Sequence, residues 1–209
     1  MATAARLDHS SDVTDVPHVL RGAVQLGLIQ AVCVFAISFI NRSFEGTADH
    51  ALTGVVVALG IAATVLLPGL RTRPRSIEGI AGAAGIGLGA AVTFLVLDVT
   101  VLQPLHTYTN RWHEVGGGSN WWYHPVWWMV GTYLAWMGAW ILANQTNKQG
   151  EPSVIGALGL IAVLTAVFGA IAVFIPVPFA SWNVPTFAVA VLPALAMGAV
   201  ISGRGAKRS

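Results

Sequence analysis

Five side chains able to ligate a metal ion fall around one glycine-rich connection. His106, His113, Glu114 and His124 lie within "HTYTNRWHEVGGGSNWWYHP", and Asp98 precedes them on the same stretch of chain. Imidazole nitrogen together with carboxylate oxygen suits copper, zinc or iron. The spacings match no compact ligand motif. Adjacent His113 and Glu114 reach one ion only if the connection curls, which Gly116, Gly117 and Gly118 permit. Ligation needs neutral imidazole, so such a site weakens as pH falls through about 6.5. The competing reading makes these histidines hydrogen-bonding groups at a membrane boundary.

The same connection and the run that follows it hold seven of the eight tryptophans. Trp112, Trp121, Trp122, Trp127 and Trp128 gather where the connection enters an apolar run, and indole rings favour the lipid headgroup level. Trp112, Trp121, Trp122 and Trp127 are thus a candidate outer-loop interface. Trp136 and Trp140 lie about 18 and 24 Å into a helix rising 1.5 Å per residue, below that belt. Met129, Tyr133, Trp136 and Trp140 recur at i, i+4, i+7 and i+11 and share one helical face. With Trp128 they form a candidate interface for partner helices, a carotenoid, a porphyrin or a quinone, or simply for lipid. Gly131, Ala135 and Gly138 leave the opposite face smooth enough to pack inside a bundle.

The elements that must position these residues follow from composition. Of 209 residues, 55% are hydrophobic and 10% charged, with a mean hydropathy of +0.69. A soluble domain carries roughly a quarter charged residues, so most of this surface meets lipid. Six runs are long enough for a bilayer core, which takes roughly 20 apolar residues. They are Val19–Ile40, Ala51–Leu70, Ile77–Val101, His124–Ala143, Val154–Ile175 and Pro185–Ser202. The expectation is an all-α integral membrane protein, a six-helix transmembrane bundle; dropping the last run, interrupted by Pro193, gives a five-span alternative. Residues 1–17 read as a polar tail without the basic start of a cleavable signal, 18–203 as one transmembrane domain and 204–209 as a basic tail.

Orientation follows from Lys and Arg. With the N-terminus inside, Arg6, Arg21, Arg71, Arg73, Arg75, Lys148, Arg204, Lys207 and Arg208 are cytoplasmic, and only Arg42 and Arg111 are outside. Both termini are then cytoplasmic, in a multi-pass protein of a bacterial inner membrane. The net charge of +2 is spread beside the spans and forms no patch for nucleic acid. Rows of small residues (Gly85 with Gly89; Gly54, Ala58 and Ala62; Ala162, Ala166 and Ala170) are expected to let helices of this chain approach closely. Gln25 and Gln30 are expected to bond to neighbouring helices. Asp98, about 32 Å along its span, is expected at the wet outer boundary. Cys33 is the single cysteine and excludes an internal disulfide.

The segment around Trp112 and His113 resembles the outer metal-binding segment of the C subunit of copper membrane monooxygenases, where an aspartate precedes a Trp-His pair and a second histidine follows. His124 stands closer than that pattern requires and Thr109 occupies the aspartate position, so one implied ligand is missing and no family is assigned. No phosphate-binding loop, Ser-His-Asp set, zinc-peptidase helix, haem-clamping histidine pair or mid-span lysine is present. No repeat between the halves supports an inverted-repeat transporter. The expected function is a non-catalytic subunit of a respiratory or photosynthetic membrane complex, with lipid and other membrane subunits as partners. The alternative is an outer-face metal protein or metalloenzyme using His106, His113, His124, Asp98 and Glu114; a small-molecule transporter ranks third. The topology is checked by single-cysteine labelling on a Cys33→Ser background: cysteines at Ser119 and Ser209 should react from opposite sides, and labelling from one side overturns it.

Overall fold

The computed structural model describes residues 13–108, 123–145, 152–175 and 177–205. Its helices are α1 (Val16–Ser43), α2 (Gly46–Thr72), α3 (Ile77–Leu97), α4 (Tyr123–Asn144), α5 (Val154–Phe174) and α6 (Val184–Gly205). A π-helical segment, Asp98–Leu102, prolongs α3. Among the described residues six helices are long and apolar enough to cross a membrane, so the chain has the architecture of a multi-pass, all-α membrane protein. Each predicted span falls on one of them. Four of the helices begin at a polar cap. Asp15 accepts from the His18 N–H at 3.1 Å and starts α1 inside the predicted tail. Ser76 accepts from the Glu78 N–H at 3.1 Å and Ser153 from the Gly156 N–H at 3.2 Å, starting α3 and α5. Asn183 accepts from the Thr186 N–H at 3.0 Å and opens α6. These side chains satisfy donors that a helix leaves unpaired in its first turn.

The Val13 N–H donates to the Thr72 carbonyl at 3.0 Å, which places the start of α1 beside the end of α2. This is the terminal end of the bundle; the α1–α2 connection, the end of α3 and the start of α4 lie at the other, the loop end. Packing closes a ring in the order α1, α3, α4, α2, with α6 laid against α4 and α2. Helix α5 leans almost wholly on α6. Apolar side chains also cover the outside: Val32 is 66% exposed, Leu59 64% and Val189 65%, as expected of a surface whose solvent is lipid.

Small residues set the contacts within the ring. A Cβ placed on Gly27 of α1 would lie 2.6 Å from Thr93 Cβ and 2.8 Å from the Ala90 carbonyl of α3. One on Gly87 of α3 would meet Ala135 Cβ at 2.5 Å and the Gly131 carbonyl at 2.6 Å on α4. Gly138 of α4 rests on the Val65 backbone of α2, and Gly69 of α2 faces Ala139 and Leu142 of α4. The smooth face of α4 is therefore its packed face. Gly89 meets Ala23, but its predicted companion Gly85 makes only an ordinary contact with Val19, at 3.7 Å. Two other rows depart from expectation. Ala58 is exposed, and so are Ala162 and Ala166, because α5 turns Ala157, Ile161 and Gly169 toward its single main neighbour. Gln30, 7% exposed, donates from Nε2 to Thr64 Oγ1 at 3.1 Å and joins α1 to α2.

Replacing Gly138 by Val should drive a branched side chain into the α2 backbone and cost about 1–3 kcal/mol. Thermal unfolding in detergent checks this against Gly159→Ala, where nothing lies within 4 Å of an added Cβ and the melting temperature should not fall.

Candidate functional site at the loop end of α3 and α4

The chain loses its α-helical winding at Asp98. Val99, Thr100 and Val101 are β-branched and favour helix less than Leu or Ala, and here the hydrogen bonding widens: the Gln103 N–H reaches the Asp98 carbonyl at 2.9 Å. Single π turns recur at functional positions. The chain then bends back. His106 takes φ +52 and Thr107 N–H closes on the Leu102 carbonyl at 3.1 Å. This turn brings Tyr108 over Asp98, whose Oδ1 accepts from the tyrosine hydroxyl and whose Oδ2 accepts from Gln103 Nε2 at 2.7 Å.

Helix α1 holds the turn in place. Arg42 donates from Nη2 to the His106 carbonyl, and Ser38 Oγ donates to the Thr107 carbonyl at 2.6 Å. Apolar walls complete the enclosure: Phe94, Leu95 and Leu102 are buried, with Tyr108 and Trp127 packed on them and the Phe94 and Trp127 rings 4.9 Å apart. Thr107 Oγ1 and Trp127 Nε1 are buried without a hydrogen-bond partner among the described residues. Asp98 is 0% exposed. The expectation of a wet interfacial carboxylate is thus wrong, although its place at the end of its span is right: the 103–108 turn covers it. A dry carboxylate held by a phenol and an amide can anchor a fold or hold a proton, and in a membrane span it is by default a functional candidate.

On the outer side of α3 runs a second feature, an apolar groove of about 420 Å³ between α3 and α4. Val92, Val96 and Val99 form one wall, and His124 and Trp128 of α4 the other. His124 is half-buried there, whereas His106 stands exposed on its turn. Among the described residues no three His, Cys, Asp or Glu side chains come together to hold a metal ion. His113 and Glu114, with Trp112, Trp121 and Trp122, lie outside the described residues.

The aromatic face of α4 divides along its length. Trp128 is 44% exposed, Met129 65% and Trp136 43%. Tyr133 instead turns to α6, where its hydroxyl donates to the Leu192 carbonyl at 2.8 Å, and Trp140 packs on Ile80, Ala83 and Ala139. The four share a face as predicted, but neighbouring helices cover Tyr133 and Trp140. The uncovered part of this face is therefore Trp128, Met129 and Trp136, and Trp128 also lines the groove. Sequence reasoning missed Gln103, Tyr108, Ser38 and Arg42. Gln103 and Tyr108 follow Asp98 closely in the chain, which was the available signal; Ser38 and Arg42 act from a helix far away in sequence.

No protein-family model matches the chain, and no curated protein and no solved structure matches it.

Replacing Asp98 by Ala removes the acceptor of the Tyr108 hydroxyl and of the Gln103 amide, and each hydrogen bond lost costs about 1 kcal/mol or more. Asp98→Asn keeps a carbonyl oxygen for the tyrosine. The expected order of thermal stability in detergent is parent, then Asn, then Ala; equal melting of parent and Ala variants would mean the carboxylate anchors nothing.

Proposed function

We propose that this chain is a non-catalytic integral membrane subunit of a larger complex of the respiratory or photosynthetic kind, in a bacterial inner membrane. On this reading the uncovered part of α4 docks a partner helix, a quinone or a pigment. One observation carries it: Trp136 stays 43% exposed about 18 Å along α4, where tryptophan gains nothing from the headgroup level it prefers. The adjoining groove supports it. At about 420 Å³ it falls within the size range of small-molecule sites, and its walls are mostly apolar, with His124 and Thr100 as polar groups. A flat ring system or the side chain of a partner helix suits such a surface.

The second reading, a metal site, rests on the sequence alone, where His106, His113, Glu114 and His124 fall on one connection and Asp98 shortly precedes it. One purification separates the two. Protein extracted in mild detergent, without chelator, from its native membrane should carry partner chains or a pigment or quinone. Truncating a desolvated aromatic anchor typically costs 2 kcal/mol or more of binding. Trp128→Ala with Trp136→Ala should therefore strip the bound species while the chain still inserts; Tyr133 is left intact because it holds α6. If the double variant retains everything the parent carries, those rings face lipid and the subunit reading fails. Stoichiometric metal on a solitary chain, lost in His124→Ala, would establish the second reading instead.

A further inference from the structure

At the terminal end of the bundle a cavity of about 380 Å³ opens between α1 and α2, floored by Ile86 of α3. Its polar end is made by Arg71 and Gln25, and its apolar walls by Leu28, Ile29 and Leu67. Leu28 and Ile29 are 46% and 38% exposed, so the cavity is open to lipid along its side. Arg71 donates from Nη2 to Gln25 Oε1, a neutral acceptor. Among the described residues no carboxylate lies within 4.0 Å of its guanidinium.

The arginine lies in this cavity for a steric reason. A Cβ on Gly22 would stand 3.1 Å from Ile86 Cδ1 and 3.3 Å from Arg71 Cδ, so the glycine leaves room for the arginine stem to lie across α1. Its head then reaches Gln25, one turn further from the terminal end than Gly22. A snorkelling arginine turns the other way, toward water. The level follows from α1 itself. Arg21 and Arg42 are 21 residues apart, about 31 Å at 1.5 Å per residue, which matches the roughly 30 Å hydrocarbon core. Arg21 thus lies near one boundary of the hydrocarbon core, and the Arg71 head lies about one helical turn inside it, so a headgroup bound there is drawn below its ordinary level.

We propose that this cavity binds an anionic phospholipid, its phosphate on Arg71, an ester carbonyl on the Gln25 amide N–H and one acyl chain along Leu28, Ile29 and Leu67. The guanidinium presents several donors in a fixed fork that fits phosphate oxygens. Arg21 and Arg73, both exposed at the same end, add positive potential that favours anionic over zwitterionic headgroups. A free phosphate would use only the polar end and leave the apolar walls idle, so the whole cavity fits a lipid.

Native mass spectrometry of the full chain in detergent tests this, with phosphatidylglycerol titrated against phosphatidylcholine of matched chains. The parent should prefer phosphatidylglycerol, and Arg71→Gln should lose about tenfold of that preference, the value of a charge-assisted hydrogen bond. Arg204→Gln, an exposed basic residue at the same end, should keep it. Ile29→Trp fills the cavity with Arg71 in place and should also release the lipid. Retention by Arg71→Gln, an equal loss in Arg204→Gln, retention by Ile29→Trp, or displacement of the lipid by millimolar inorganic phosphate would each overturn the proposal.

Discussion

Backbone-to-backbone contact between helices is the constraint on which this structure rests. In lipid, apolar side chains gain nothing by leaving one oily surface for another, so helices associate where their main chains come close enough for dense van der Waals contact. Gly27, Gly87 and Gly138 supply that closeness at three sides of the ring, and no side chain larger than hydrogen fits at any of them. Everything else is hung on this frame. Because α4 uses its glycine face inward, its bulky residues must go outward. Because α3 is held between α1 and α4, its outer end is fixed where the 103–108 turn can close over it.

Much of the frame was legible in the chain itself. Apolar run length gave six spans, and the polar cap at Asp15 explains why α1 begins ahead of its run, while Ser76 starts α3 where the run itself begins. The smooth face of α4 was legible because Gly131, Ala135 and Gly138 repeat at helical spacing. The small-residue rows were less informative. Their spacing says which residues share a face, but not which neighbour, if any, that face meets. Gly89 found Ala23, whereas Ala162 and Ala166 face outward because α5 has one main neighbour and a different face turned to it.

The site shows the same limit more sharply. Asp98 was placed correctly along its span and wrongly in its surroundings, because depth follows from counting residues while dryness depends on a turn that folds back. That turn depends in its own right on Arg42 and Ser38, more than sixty residues earlier in the chain. No local pattern carries that information. The division of the aromatic face has a similar cause: Tyr133 and Trp136 look equivalent on a helical projection, and only the position of α6 separates them.

Helix α1 also joins two polar devices that share no residue. Near its start, Gly22 and Gln25 shape the cavity that holds Arg71; near its end, Ser38 and Arg42 clamp the lid over Asp98. Between them lies an unbroken helix with one buried polar tie, Gln30 to Thr64. A rod held in this way moves as one piece. A rocking of α1 against α3 would pivot near Gly27, where the two backbones touch, and would shift the two ends in opposite directions. Any such change in how α1 sits against α3 would reach both the cavity beside Arg71 and the turn that covers Asp98.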